Sequence, residues 1–407
     1  MTIEAPRGTL DVLPSEQPLR DAIVAAAEAA AGRYGYGRII TPTFEDTALF
    51  TRTAGAGSDV VQKEMYVFED RSGRSLTLRP EATAPIARAY VEHGLHREPQ
   101  PVKTFLVGPM FRYSAPQKGR YREFWQIDFE AMGSDDPALD AELIELFGTI
   151  AASLGIAGVR LELNSIGDRN CRPQYVERLR SFLDERWDSL DEDARRRART
   201  SPLRVFDTKD ERVRRTLADA PTISDALCDA CREHFEEVRR FLASYGVEYE
   251  HKPTLVRGLD YYTRTVWEFQ NDALGAAQSS ICAGGRYDYL IEEIGGRPTP
   301  GVGWAAGIER LSLSVSLAPA RGAVDVFFAF EDGARRADVL ALMADLRAAG
   351  HACETDYAAR SLKGQLTQAQ RLGARTVVIA GSDGFTVRRR GEEDVRVGAL
   401  SELCARL

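Results

Sequence analysis

Four cations, Arg112, Lys118, Arg120 and Arg122, fall within eleven residues, in a segment shaped by Pro116 and Gly119. Guanidinium forks match phosphate oxygens and neutralise charge that builds on a transferring group. A solvated basic hairpin carries the same residues, so the cations alone leave both readings open. Their sequel favours chemistry. Gln126 and Glu130 lie at even spacing on a segment of strand character and therefore share one face. A carboxylate turned toward a core is costly unless paired, and a bound ammonium group would pair it.

Other segments supply complementary groups. In Leu78–Arg79–Pro80–Glu81–Ala82–Thr83–Ala84–Pro85, a strand turns into a helix at Pro80 and Glu81. Glu81 and Thr83 serve there either as helix caps or as a polar hook for a small amino compound. In Leu255–Thr265, Arg257 stands beside Gly258, and glycine admits close approach of a ligand or another backbone. If that strand is regular, Tyr261 and Tyr262 point to opposite faces. Gly301–Leu311 alternates glycine with larger residues and then opens a helix. It contains no Gly-x-Gly-x-x-Gly, so the dinucleotide fingerprint is absent. Small residues here and in Cys282–Asp288 predict a flat slot for a planar base, with Arg310, one turn into the helix, reaching back toward a polyphosphate.

Cys228–Asp229–Ala230–Cys231, with His234 nearby, has the spacing of half a structural zinc site. Such sites take four ligands, usually as two close pairs. Asp168–Arg169–Asn170–Cys171 adds one thiol, so the set is incomplete and no metal is expected.

The elements that must position these groups follow from periodicity and punctuation. Residues 15–34 predict a helix with Ser15 as N-cap, and Arg38–Pro42 a strand ended by proline. Glu64–Phe68 and Ser75–Arg79 predict a hairpin, and Ala82–His93 a helix. Val102–Phe111 and Glu123–Met132 are strand arms around the basic loop. A helix over Asp140–Leu154 and a strand over Val159–Asn164 follow. From about residue 168 to 248 the chain is helical and highly charged, which reads as an insertion. Strand character returns at Leu255, through Thr263–Phe269 and Gln278–Ala283. Ala318–Gly322 is expected to be a linker. Beyond it, short apolar strands alternate with helices in βαβαβ order, predicting a separate α/β domain whose sheet is covered on both faces. Arg388–Arg389–Arg390 falls on a hairpin there and reads as a solvated turn.

Composition bounds these readings. The 407 residues are 44% hydrophobic and 28% charged, ordinary for a soluble globular chain of two to four domains. The net charge of −8 excludes histone-like basic attraction but permits a local positive face. No apolar run approaches the ~20 residues of a membrane span. Six scattered cysteines and no export signal predict a reduced cytoplasmic protein.

Taken together, these blocks resemble the class II aminoacyl-tRNA synthetases, and among them the histidyl-tRNA synthetase family. The resemblance runs from Arg7–Gly8–Thr9 into the last α/β domain. Leu255–Thr265 and Ala283–Asp288 look like its two histidine-specific signatures. The segment ending at Pro42 resembles motif 1, Phe111–Glu130 motif 2 and Gly301–Leu311 motif 3. The resemblance implies an α+β catalytic domain on an antiparallel sheet (1–167 and 249–318), a helical insertion (168–248) and an anticodon-binding α/β domain (322–407). It implies a homodimer acting on L-histidine, ATP with Mg²⁺, and tRNA(His). Arg112 and Arg257 would grip the α-phosphate and carboxylate as the catalytic pair, with Arg112, Arg120 and Arg310 binding ATP. Glu81, Ala82, Thr83, Gln126 and Glu130 would surround the α-amino end, and Tyr261 and Tyr262 the imidazole. The chain departs from the family pattern at Ser114–Ala115, which replace a common Glu-Arg, and at Ala82, which replaces a common glycine. Synthetase-like chains also serve as non-catalytic regulatory subunits of ATP phosphoribosyltransferase. Those typically lose the C-terminal module and blur the arginine motifs, whereas both are present here.

Overall fold

The computed structural model describes all residues except 1, 54, 56, 57, 59, 209, 276–278, 317–323, 405 and 407. The expected linker Ala318–Gly322 and residue Gln278 lie outside the described residues. The chain divides into two compact units, with the boundary after residue 318.

The first unit opens with α1 (Gln17–Tyr34), β1 (Gly37–Arg38), β2 (Phe44–Asp46), α2 (Thr47–Thr53), β3 (Tyr66–Glu69) and β4 (Ser75–Leu78). There follow α3 (Thr83–Glu92), β5 (Val102–Phe111), β6 (Glu123–Met132), α4 (Pro137–Ser153) and β7 (Val159–Ser165). The insertion comprises α5 (Arg172–Glu185), α6 (Glu192–Thr200), α7 (Glu211–Thr216) and α8 (Asp229–Tyr245). The unit closes with β8 (Glu250–His251), β9 (Thr263–Asn271), β10 (Ser280–Arg286), α9 (Leu290–Glu293), β11 (Gly301–Gly307) and α10 (Ile308–Ser314).

Eight strands form one sheet in the order β1–β5–β6–β11–β10–β9–β7–β8. The six central strands are antiparallel, and the short edge strands β1 and β8 pair parallel. One face is apolar. Phe129, Trp267, Trp304 and Phe269 pack there under α4 and α1, with Phe129 stacked on Trp304 at 4.7 Å. Helix α1 presents Ile23, Ala27, Ala30 and Ala31 to this core, a helical spacing of small side chains that lets it lie close.

The other face is polar, and strand register explains why. Asp128 on β6 pairs with Leu106 and Ala305, Ala305 with Ala283, and Ala283 with Glu268. One step along, Glu130 pairs with Gly303, Gly303 with Gly285, and Gly285 with Val266. Directly opposed residues share a face. The result is a strip of small residues bounded by Asp128 and Glu130 on one side and by Glu268 and Val266 on the other.

Three local expectations need correction. Helix α1 begins at Gln17, preceded by Glu16 and not capped by Ser15; Pro18 occupies its first turn, where a missing N–H costs nothing. The strand read over Arg38–Pro42 shrinks to Gly37–Arg38. Residues 255–262 form an irregular loop before β9, and Tyr261 and Tyr262 do not sit on opposite faces: both rings are buried in one apolar cluster, 4.8 Å apart.

The insertion has its own core around Tyr175, Leu179, Val205 and Val213. Its last helix joins the main core through Phe235, Val238 and Leu242 and packs on α4. The second unit contains β12 (Val326–Phe330), α11 (Arg336–Ala348), β13 (Cys353–Thr355), α12 (Leu362–Arg371), β14 (Thr376–Gly381), β15 (Gly384–Arg389), β16 (Val395–Val397) and α13 (Leu400–Cys404). Its sheet runs β13–β12–β14–β15–β16, parallel for the first three strands. Phe328 packs with Met343 of α11, whereas Phe327 packs with Ala369 of α12, so β12 is buried on both faces.

Candidate active site

A cavity of about 350 Å³ lies on the polar face of the large sheet. Arg112, Arg120, Arg257 and Arg310, spread over 199 positions of sequence, all line it. Each is held from behind. Arg112 leaves the end of β5, donates from Nε to the Pro80 carbonyl at 2.7 Å, and covers the Phe124 ring. Arg120 sits at the exposed tip of the loop between β5 and β6 and pairs with Glu64 at 3.0 Å. Arg310, one turn into α10, donates to the Ser280 carbonyl at 2.7 Å and to Gly119 at 3.3 Å. Arg257 pairs with Glu268 at 3.2 Å.

The electrostatics record this convergence. Burial depresses the Arg310 pKa, and the neighbouring Arg120, Arg112 and Arg257 depress it further. Like charges gathered without a full complement of anions form a site for a polyanion. Burial also opposes the charge of Arg257, but Glu268, Tyr262 and Asp207 more than offset it and hold its pKa above the ordinary value.

The cavity also has acidic lining groups. Glu81 lies just before α3 and accepts from the Thr83 and Ala84 N–H groups at 2.7 and 3.0 Å. The cap and hook readings therefore describe one carboxylate, which also lines the cavity. Gln126 and Asp128 line it from β6. Both Asp128 oxygens are buried without a hydrogen-bond partner among the described residues. Burial, then repulsion from Glu130 and Glu81, raises the Asp128 pKa well above the usual carboxylate range. Glu130 lies beneath the wall and not in it. It accepts from the Thr83 hydroxyl at 2.6 Å and from the Tyr287 hydroxyl, and burial pushes its pKa up to about 8. These hydroxyls already occupy the position in which a bound ammonium was expected as partner. Tyr261 and Tyr262 also line the cavity.

The comparisons with known proteins agree on one family. A family model described as Histidyl-tRNA synthetase matches residues 8–311. A Histidine--tRNA ligase of Rubrobacter xylanophilus is 44% identical over 97% of this chain and 96% of its own. One of Desulforudis audaxviator is 46% identical over 94% and 92%. The apo histidyl-tRNA synthetase structure of S. aureus superposes with a TM-score of 0.81 at 33% identity, covering 99% of each chain. The chain belongs to the histidyl-tRNA synthetase family.

Within this histidyl-tRNA synthetase fold the signature stretches divide their labour. Leu255–Thr265 contributes Arg257, Gly258, Leu259, Tyr261 and Tyr262 to the cavity. Ala283–Asp288 contributes Ala283, but its Arg286 is fully buried and bonds Asp140, Asp288 and the Ser134 carbonyl. That arginine positions the sheet and touches no ligand space. Ala82 is fully buried in the apolar cluster beside Ile86 and does not line the cavity. The glycines expected to open a slot mostly serve close packing: a Cβ at Gly285 would meet the Tyr262 ring at 2.7 Å, and one at Gly303 would overlap the Glu130 carboxylate. Ala305, Ala283 and Gly307 supply the flat floor instead.

Sequence reasoning missed Asp128, Glu268 and Glu309. Asp128 shares the alternation of Gln126 and Glu130, a signal that was available. Glu309 lines the cavity and accepts from the Trp125 N–H at 3.1 Å and from Arg20 at 3.0 Å, contacts that local pattern does not reveal. In the insertion, His234 turns to Asp140 at 3.3 Å and away from the cysteines. Asp168 instead joins Cys171, Cys228 and Cys231, their donor atoms all within 4.8 Å of one another.

Proposed function

We propose that the cavity activates L-histidine with ATP and transfers it to the 3′ end of tRNA(His). The observation that carries this reading is the convergence of four guanidinium groups in one cavity that buried carboxyl and amide groups also line. Curated relatives named Histidine--tRNA ligase span nearly the whole chain, which favours the ligase over a non-catalytic regulatory subunit.

In the first step a carboxylate oxygen of histidine attacks the α-phosphorus of ATP and pyrophosphate leaves. Arg112 and Arg257 flank the reacting groups and stabilise the negative charge that builds there; Arg120 and Arg310 hold the outer phosphates. ATP enters as its Mg²⁺ complex, the ion carried on phosphate oxygens as part of the substrate. Glu81, Thr83, Gln126 and, through Thr83, Glu130 orient the ammonium end, and Asp128 adds an unpartnered carboxyl group on the same strand face. Tyr261 and Tyr262 enclose the imidazole. In the second step the terminal ribose hydroxyl of the tRNA attacks the histidyl carbonyl and AMP leaves. Both steps need positioning and fixed dipoles more than bond-making by the protein.

The catalytic core is assigned to residues 1–167 and 249–318, the insertion to 168–248, and anticodon binding to 322–407. Arg388 pairs with Asp394 at 2.7 Å and Arg389 with Glu392 at 3.8 Å, which favours reading the basic run there as a solvated turn. A homodimer is supported by apolar side chains that the chain alone leaves exposed around motif 1, namely Ile40, Phe44, Val67 and Phe68. No helix among the described residues is long and apolar enough to cross a membrane, and the cytoplasm is the compartment where ATP and tRNA meet.

The test is ATP–pyrophosphate exchange assayed with each amino acid in turn, followed by charging of tRNA. Histidine alone should support exchange. Exchange with another amino acid, or with none, overturns the reading.

A further inference from the structure

At the root of the insertion, two short segments bring four donors together. Asp168-x-x-Cys171 lies where the chain enters the insertion, and Cys228-x-x-Cys231 opens its last helix. The two pairs share one spacing, so the second pair that a structural metal site requires is present, with a carboxylate in place of one thiol. One donor atom from each residue lies within 4.8 Å of the other three.

Two of the donor–donor distances match the edges of a tetrahedron around an ion, and all lie within 4.8 Å. Cys171 Sγ and Cys231 Sγ are 3.8 Å apart. That is too long for a disulfide. It equals the edge of about 3.8 Å expected between two sulfurs bound at about 2.3 Å to zinc. Cys171 Sγ and Asp168 Oδ1 are 3.5 Å apart. A zinc-bound sulfur and oxygen at tetrahedral angles are separated by about 3.5 Å. Asp168, Cys171 and Cys231 are buried, and Cys228 is half-buried.

The surroundings also suit ligation. Cys171 and Cys228 each stand immediately before the first residue of a helix, α5 of 14 residues and α8 of 17, where the dipole favours a thiolate. The Asp168 backbone N–H points at Cys171 Sγ at 3.4 Å, a donor to the sulfur. The Asp168 carboxylate is oriented by the backbone N–H groups of Asn170 and Cys171 at 2.9 and 3.3 Å. Outer hydrogen bonds of this kind fix ligand geometry at metal sites.

We propose that Asp168, Cys171, Cys228 and Cys231 form a closed structural zinc site. On binding, the three thiols release their protons to solvent and all four positions around the ion are filled by the protein. The site lies outside the catalytic cavity but abuts its support. Arg172, next to Cys171, donates to the carbonyls of Ile166, Gly167 and Tyr262 at 3.1, 3.0 and 2.5 Å. The ion would thus fix the joint between the insertion and the loop bearing Tyr262.

The experiment measures zinc in the full-length reduced chain after incubation with zinc chloride and desalting. One zinc per chain is expected, falling below a tenth of that in Cys228→Ser/Cys231→Ser and unchanged in Cys353→Ser. Asp168→Ala should lose zinc to a chelator at least tenfold faster. Since the double variant can misfold, cobalt is also substituted into the wild-type chain. Thiolate-to-cobalt charge-transfer bands with the intense visible absorption of a tetrahedral ion are expected. The proposal is overturned by any of four results: no retained zinc, equal zinc in the double variant, unchanged release from Asp168→Ala, or an octahedral cobalt spectrum.

Discussion

The Thr83 hydroxyl donates to the Glu130 carboxylate at 2.6 Å, joining the start of α3 to the C-terminal part of β6 across 47 positions of sequence. Burial around this bond raises the Glu130 pKa from 4.5 to about 8. Between those values the folded chain holds a proton that the unfolded chain has released. The stabilisation is therefore complete below pH 4.5 and is lost as pH rises through about 8. Melting curves of the ligand-free chain should show the wild type losing stability relative to Glu130→Gln from pH 5 to 8. Parallel curves would sink this assignment. An ammonium ligand favours the ionised carboxylate, so histidine binding near pH 7 should release protons. Calorimetry in buffers of different ionisation enthalpy reads that release directly.

Arg257 presents a second test, because its pairing with Glu268 makes a simple deletion ambiguous. Removing the arginine alone leaves a carboxylate that is 15% exposed without its partner. Arg257→Ala/Glu268→Gln removes both charges and isolates the catalytic role. Exchange in that double variant should fall about 10²–10³-fold, the loss typical of one transition-state donor, with histidine affinity nearly unchanged. Arg257→Lys should recover only part of the rate, since a point charge does not replace a planar fork. Unchanged turnover in the double variant removes Arg257 from the catalytic pair.

The buried Arg286 concerns stability instead. Its guanidinium bonds both Asp140 oxygens, and neither side chain has any exposed surface. Arg286→Met leaves buried Asp140 with His234 at 3.3 Å and Asp288 with a weaker partner, Arg264 at 3.7 Å. Breaking a buried pair on one side costs about 3–5 kcal/mol. Urea unfolding should report a loss of that size, and a loss below ~1 kcal/mol would contradict the structural role.

How far these residues were legible varies with the kind of signal they carry. The arms Val102–Phe111 and Glu123–Met132 were readable to the residue, because alternation is local and a glycine- and proline-shaped loop ends both. Strand β12 was readable as doubly buried for the opposite reason, a continuous apolar run without alternation. Tyr261 and Tyr262 were misread because two adjacent aromatics look like a strand, and only tertiary packing turns both into one cluster. Glu268 became visible only through register, which sets it against Ala283 and toward Arg257. Asp168 and Cys231 are 63 positions apart, and no periodicity relates them. Glycine was the most ambiguous residue of all, since sequence does not distinguish a space left for a ligand from one already filled by a neighbour.

Gly303 and Gly284, on adjacent strands, are both filled by a neighbour, but on opposite faces of the sheet. A Cβ on Gly303 would overlap the Glu130 carboxylate, on the polar face. A Cβ on Gly284 would meet Trp304 Cβ at 2.6 Å and Trp267 Cζ2 at 2.7 Å, within the apolar core. Gly303→Ala should therefore displace Glu130 and, through it, Thr83, raising KM for histidine at least about tenfold while KM for ATP moves little. Gly284→Ala overpacks the aromatic core, which typically costs about 1–3 kcal/mol. It should lower the melting temperature with both KM values close to wild type. Equal effects of the two substitutions on histidine KM would show that Glu130 and Thr83 do not position histidine from the polar face.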